Sequence, residues 1–334
     1  MRSLRFVGAR WLACLGIAAA AAWLGAGALA QPSPAGPITL LVPYPPGGVS
    51  DVLARAIAPP LADATGRPAA VENVTGASGS IGAARLLAAP PDGSRILVGS
   101  ATETVLAPLT IKSLKYRSTD FTLLAVVYTA PIALYVRPDL QATSVDDLAA
   151  LARRGGVRPL AYGSPGNGSL YHIVTEKLRT TLGIKAVHVP YRGGAPLLQD
   201  LMAGTIDFTL LPQDNVLGAM VDGGKLRMIG VAAEHRSVRR AEVPTFDESQ
   251  VVRGFGHPSV WVGLFVPQAA SGAIIEQLHR TLSQVLAQAQ TRQALEATGG
   301  TVPAPLNLAQ ARAFYAQEIQ ILQDMARSAD VQPN

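Results

Sequence analysis

The chain has 334 residues, of which 49% are hydrophobic and 15% charged. That balance excludes a disordered polyelectrolyte and leaves ample apolar surface for a core, with length for two ordinary domains; a single cysteine excludes a disulfide framework. Arg2, Arg5 and Arg10 supply three of the five net positive charges, and the remainder is too small for an electrostatic nucleic-acid footprint.

Those three arginines precede an uncharged stretch from Trp11 to Leu29 that closes on Ala28-Leu29-Ala30. A basic start, an apolar middle and small residues at the exit describe a cleavable secretory signal over residues 1–30. The rival is an uncleaved membrane anchor, since the run approaches the ~20 residues needed to span. Gly16, Gly25 and Gly27 interrupt the run and favour cleavage. A lipoprotein reading fails because Cys14 comes too early and lacks the leucine expected where Trp11 stands. The mature chain is predicted to start at Gln31, free of cysteine.

From Gly36 onward, β-branched apolar runs alternate with helical patterns across Gly- and Pro-rich turns. Ile38–Val42 reads as a buried strand, Pro43–Gly48 as a turn, and Ser50 or Asp51 as a cap for a helix reaching Thr65. Pro59 and Pro60 fall inside that helix and predict a bend or split. Arg95–Gly99 and Ile132–Val136 are further strands. A strand ending near Ser164 precedes a helix over Leu170–Thr181. Val187–Val189 leads through Tyr191–Gly194 into a short helix with Pro196 in its first turn, stopped by Gly204, and Ile206–Leu211 follows as a strand. The end is helical: Ile274, Leu278, Leu282 and Val285 keep a 3.6-residue period, Gly299-Gly300 is the stop, and a last amphipathic helix covers Ala309–Ala326. This βαβ alternation predicts an α/β fold with largely parallel sheets.

Two stretches share one physical design. Tyr44–Asp51 and Tyr162–Ser169 each place glycines between a strand and a helix start, where close backbone approach and unpaired N–H groups suit an anion. The candidate ligand-binding residues there are Tyr44, Gly47, Gly48, Ser50 and Asp51 in the first, and Ser164, Gly166, Asn167, Gly168, Ser169 and His172 in the second. Tight βα turns need the same glycines and prolines, so either stretch alone reads equally as a turn. Asp51 reads as a helix cap or a ligand contact. His172 reads as a neutral donor to a ligand or as helix-start packing. Arg192, beside Gly193, faces either a carboxylate or solvent. His235–Arg240 is a solvated loop or a docking surface for an acidic partner. Neither glycine stretch matches a dinucleotide or P-loop motif, and Gly76–Ser80 misses the hydrolase elbow at its last position. His172 and Glu176 share a helix face without a third ligand, so no metal and no cofactor are expected.

In their order these stretches resemble the periplasmic solute-binding proteins of tripartite tricarboxylate transporters, the TctC or Bug family. The resemblance rests on Val42–Gly48 with Asp51, Val71–Asn73 with Gly76–Gly82, Tyr162–Gly168 with His172, His188–Gly193, Gly224–Arg227, Val243–Thr245 and Trp261–Pro267. It implies the type II periplasmic binding protein fold, two lobes joined by crossing strands near Ile132–Val136 and Val260–Val266. Lobe 1 is then residues 36–131 plus 256–334, and lobe 2 is 132–255. It further implies a ligand held between the lobes, with Ser78, Ser100, Ala101, Thr102 and Asp214 joining the site. Three departures from the family pattern stand out: Val74-Thr75 in place of Arg-Pro, the altered stretch Leu211–Asn215, and Pro59-Pro60.

The function expected is capture of a small carboxylated metabolite by lobe closure. The chain is expected to act as a monomer that serves membrane permease subunits or a sensor protein, without nucleic acid. The rival is a secreted α/β hydrolase using a loop serine, for which no activated nucleophile is recognisable. Trp261, the only tryptophan after the leader, is expected at a crossing and to report ligand by fluorescence.

Overall fold

A computed structural model describes residues 36–155, 158–237 and 240–328. The leader over residues 1–30 and the start at Gln31 lie outside them. Among the described residues no helix is long and apolar enough to cross a membrane.

The chain enters through β1 (Ile38–Val42), whose side chains alternate between two faces. Ile38, Leu40 and Val42 join one core cluster and Leu41 another, all fully buried. Burial on both faces explains why this strand reads as a continuous apolar run. Helix α1 (Val49–Thr65) follows and lays Leu53, Ile57 and Leu61 on the first face. It runs unbroken through Pro59 and Pro60, so the predicted split does not occur. The two carbonyls deprived of N–H partners belong to Arg55 and Ala56, on the side of the helix that meets water.

Strand β2 (Ala69–Asn73), a short helix α2 (Ser80–Leu87) and β3 (Arg95–Ser100) complete the first βαβ unit. A π-turn over Thr102–Leu106 then leads to β4 (Phe121–Val136), which is 16 residues long. Helix α3 (Val145–Arg154), β5 (Leu160–Ser164), α4 (Leu170–Leu182), β6 (Ala186–Pro190), α5 (Gly194–Met202), β7 (Phe208–Pro212), α6 (Asn215–Asp222) and β8 (Arg227–Ala232) follow. The chain returns through β9 (Ser259–Pro267) and ends in α7 (Gly272–Ala287), α8 (Ala289–Glu296) and α9 (Leu308–Ser328). Gln288, in extended conformation, breaks the predicted terminal helix into α7 and α8 before the glycine stop.

The strands form two ladders that share β4. In the first, the order is β2-β1-β3-β9-β4; in the second, β8 and β7 flank β4, and β5 and β6 continue beyond β7. Phe121–Pro131 pairs with β9, and from Ile132 the same strand pairs with β7 and β8. The expectation of largely parallel sheets needs correcting. β1, β2 and β3 are parallel, as are β5, β6 and β7, but every pairing made by β4 and β9 is antiparallel. β9 is inserted between β3 and β4, and β4 between β7 and β8, so each inserted strand runs against two neighbours that are parallel to one another.

Asp207, just ahead of β7, fastens the second ladder at its lower end. Its carboxylate accepts from Arg137 Nε (2.9 Å), from Arg158 Nη1 (2.7 Å) and from the Ala161 N–H (2.8 Å), with its side chain 2% exposed. Asp207→Ala strands two cationic groups and a buried N–H, and is expected to cost about 3 kcal/mol in a urea titration. Arg158→Ala, on a half-exposed side chain, is expected to cost less than about 1 kcal/mol.

Candidate functional site

The first glycine loop is built around Asp51. Helix α1 starts at Val49 with Gly48 in the cap position, so neither Ser50 nor Asp51 is the N-cap residue. Asp51 instead reaches back from the first turn. Its Oδ2 accepts from the Gly47 N–H at 2.9 Å and from Arg55 Nε at 2.9 Å, while Oδ1 accepts from Asn73 Nδ2 at 3.0 Å. Asn73 also donates to the Tyr44 carbonyl at 3.0 Å. Arg55 holds the Asp51 carboxyl down at about 2. Both Asp51 and Ser50 are buried, so they brace this loop from beneath. Gly47 has φ +84, the left-handed region where a side chain would strain the turn.

A second wall comes from the end of β3. Glu103 is fully buried and accepts hydrogen bonds from the Tyr44 hydroxyl (2.7 Å), the Ser100 hydroxyl (2.8 Å) and the Ser100 N–H. The Ser100 hydroxyl in turn accepts from the Thr102 N–H at 3.2 Å, and Ala101 and Thr102 are buried beneath. Burial without a cation outweighs these donors and pushes the Glu103 carboxyl up from 4.5 to about 7. Asp51 and Glu103 are therefore opposite cases: one carboxylate has an arginine, the other has none.

The loop over Gly76–Gly79 carries the site toward the second ladder. Ala77 (φ +45) and Ser78 (φ +52) are the non-glycine residues with left-handed backbone among the described residues, and they are adjacent. Their strained turn lifts the Ser78 hydroxyl to within 3.3 Å of the Asn167 carbonyl, to which it donates. A Cβ on Gly166 would lie 2.9 Å from the same hydroxyl, and one on Gly168 would lie 2.4 Å from Thr110 Oγ1. The second predicted glycine loop thus meets groups that follow β2 and β3, at Ser78 and Thr110.

In the second loop, Ser169 caps α4 by accepting from the His172 N–H. His172 Nδ1 accepts from the Gly168 N–H at 3.1 Å, which leaves the proton of the neutral ring on Nε2. The His172 ring stacks on His188 at 3.9 Å, and His188 on Tyr162 at 4.9 Å. Burial keeps both imidazoles neutral, His188 down to about 4. His188 Nε2 lies 2.7 Å from the hydroxyl of fully buried Ser164, which also donates to the Gly166 carbonyl at 3.0 Å. Glu176 turns away from His172, to Arg179 and the Tyr162 hydroxyl. The Tyr191 and Gly193 N–H groups donate to the Ser164 and Pro165 carbonyls, so exposed Arg192 sits beside this loop.

Asp214 caps α6 by accepting from the Leu217 N–H at 2.8 Å, and burial raises its carboxyl. Tyr128 on β4 and Tyr171 on α4 join these groups although the sequence did not single them out. Tyr128 sits in an unbroken apolar strand, where no spacing marks one hydroxyl. Glu103 carried a faint signal, as the lone charge between the Ser100–Thr102 turn and Val105-Leu106. Trp261 is elsewhere: it is 2% exposed against α9, with its indole N–H on Glu318 at 2.8 Å. Of the basic run, Arg236 pairs with Glu248 and Arg240 with Asp222.

The model of the tripartite tricarboxylate transporter family receptor, TctC, matches residues 53–326. The chain belongs to that family. It is 32% identical over 319 residues to Protein BugT of Bordetella pertussis, covering 93% of this chain and 94% of that one. Among solved structures it is similar to an R. palustris protein with adipate (29% identity, TM-score 0.81, 90% of this chain and 99% of that chain). It is also similar to MatC from Rhodopseudomonas palustris with bound malate (27% identity, TM-score 0.78, 87% and 99%). The fold is the two-lobed type II periplasmic binding protein fold, with the shared strand β4 between its ladders.

Glu103 gives the site a pH signature. The folded state holds its proton up to about pH 7, the unfolded chain only to about 4.5, so this group lowers stability as pH rises between those values. Glu103→Gln keeps the acceptor and removes the charge. Its stability relative to the parent chain, from denaturant melts, is expected to rise steadily from pH 4.5 to 7 and then level off.

Proposed function

We propose that this chain is a periplasmic receptor that captures a small carboxylated metabolite between two lobes and presents it to a tripartite permease. Lobe 1 comprises residues 36–131 and 256–334, lobe 2 residues 132–255, and their closure seats the ligand between Tyr44–Asp51 and Ser164–Ser169. The observation that carries this reading is the contact of the second loop with groups that follow β2 and β3, Asn167 with Ser78 and Gly168 against Thr110. A cleft walled by backbone from both lobes gives a ligand contacts that exist only when the lobes are closed, which closure requires. Adipate and malate in the similar structures support a carboxylate as the ligand.

The Ser164–His188 contact is the nearest thing in the site to a nucleophile and its base. Ser164 is fully buried, and no carboxylate is bonded to His188 among the described residues. Both features support a binding site over a hydrolase.

Calorimetry against a panel of small carboxylates, with native mass spectrometry of freshly purified protein, tests the proposal. The expected result is saturable binding of at least one carboxylate, recovered unchanged. Gly166 does not have a left-handed backbone, so Gly166→Val should fold normally while its side chain pushes against Ser78. It is expected to weaken that binding about tenfold, about 1.4 kcal/mol. Silence across the panel, or turnover of a bound compound, overturns the reading.

A further inference from the structure

The π-turn that carries Glu103 has a cause in the sequence. Pro108 stands in the helical turn over Ala107–Thr110, which follows Thr102–Leu106 directly. In an α-helix its ring would press on the Thr104 carbonyl, and it has no N–H to donate. The turn opens by one residue instead: the Ala107 N–H donates to the Thr102 carbonyl, five residues back. The Glu103 carbonyl then has no helical donor. Its α-helical partner, Ala107, is committed to Thr102, and its π-helical partner is the proline. Glu103 is fully buried, so water cannot serve that carbonyl.

Two tyrosines hold this turn. The Tyr116 hydroxyl donates to the Glu103 carbonyl at 2.7 Å, and the Tyr116 ring meets Phe121 edge-on at 5.4 Å. Tyr315, on the buried face of α9, donates to the Ser118 carbonyl at 3.1 Å, with the Thr104 carbonyl 3.5 Å away. Ser118 lies two residues after Tyr116, so Tyr315 fixes the segment from which Tyr116 reaches the π-turn. α9 packs against the π-turn and against β4, and its Glu318 is fastened to the Trp261 indole.

Glycines shape the other side. A Cβ on Gly99 would overlap Glu103 Oε1, and one on Gly79 would lie 3.1 Å from Glu103 Cβ and 3.3 Å from the Tyr44 hydroxyl. The Glu103 side chain is thereby confined to the slot in which it accepts from the Tyr44 hydroxyl (2.7 Å) and from the hydroxyl and N–H of Ser100. A small rotation of the π-turn breaks all three bonds, since each depends on where residue 103 falls along the turn.

Resting on the carboxylate-receptor reading, we infer that Pro108, Tyr116 and Tyr315 are positioning residues for ligand binding: they aim Glu103 through the π-turn, and Glu103 sets Tyr44 and Ser100 before ligand arrives. They act through Glu103 rather than on the ligand. The C-terminal helix thus takes part in binding through one buried hydroxyl. Loops set in advance favour affinity because less freedom is lost when ligand binds. An ordinary packing role makes affinity and stability fall together, whereas a positioning role separates them.

The test uses the full chain, with amide hydrogen exchange by NMR and calorimetry against malate, adipate and the other small carboxylates of the panel. Pro108→Ala restores an N–H and removes the ring, so the turn can close to an α-helix. It is expected to keep the melting temperature within about 5 °C of the parent's. Exchange of the Ser100 amide, released from Glu103, should quicken at least about tenfold. The tightest carboxylate should bind about tenfold more weakly. Tyr315→Phe and Tyr116→Phe keep the rings and are expected to weaken the same ligand at least about threefold. In a Glu103→Gln background, Pro108→Ala should add less than about twofold to the loss, because the carboxylate it aims is gone. Binding that is unchanged in Pro108→Ala and Tyr315→Phe overturns this inference and leaves the carboxylate receptor standing. So does a Ser100 amide unmoved in Pro108→Ala, or an affinity that falls only in step with the melting temperature. No binding by the parent chain across the panel overturns both.

Discussion

β4 belongs to two ladders at once, and the site depends on that continuity. Its first part is zipped to β9 and its last residues lie between β7 and β8. A single strand cannot slip in one ladder without moving in the other, because it is buried on both faces and hydrogen-bonded along its length to β9, β7 and β8. Loops at the ends of β1, β3 and β5 are therefore aimed at one another by the backbone itself. Tyr128, on the shared strand, lies just before the point where one ladder gives way to the other.

The loops are held by carboxylates, histidines and strained backbone rather than by their own sequence preference. Asp51 is stabilised as a charge by Arg55 and binds the Gly47 turn to the end of β2 through Asn73. Glu103 performs a similar bracing task for Tyr44 with two hydroxyl donors, one backbone N–H and no cation, and its charge is penalised. In the second loop, stacked neutral imidazoles take the place of a salt bridge, His172 accepting from the Gly168 N–H and His188 engaging Ser164. The positive φ of Ala77 and Ser78 costs of order 1 kcal/mol per residue. That cost is confined to the loop that touches the opposite ladder, which is where backbone strain is most often functional.

Much of this was legible in the sequence because buried strands and glycine turns announce themselves. Ile38–Val42 and Arg95–Ser100 are apolar on both faces, and Tyr44–Asp51 and Tyr162–Ser169 stand between a strand and a helix as read. Sheet direction was not legible: β4 and β9 look like any buried strand, and their antiparallel pairing depends on long-range connection. Pro59-Pro60 misled because the cost of an interior proline depends on whether water reaches the orphaned carbonyls, a tertiary fact. Ser50 and Asp51 lie two and three positions past the true cap, Gly48, and Asp51 acts through Gly47 instead. Tyr128 was invisible, since a tyrosine in an apolar run is ordinary until its hydroxyl is found without a partner. The leader lies beyond the described residues.

The central claim is that ligand is gripped between the two glycine loops, by two bodies that share one strand. Cys14 is the chain's one cysteine, so replacing it leaves a cysteine-free background for paired labels at exposed Ile81, beside the first set of loops, and exposed Val187 on β6. Pulsed electron–electron resonance between spin labels at Ile81→Cys and Val187→Cys measures the gap directly. The account predicts a longer, broader distance distribution without ligand that contracts and narrows when a bound carboxylate saturates the site. An identical distribution in both states, at proven saturation, would contradict it.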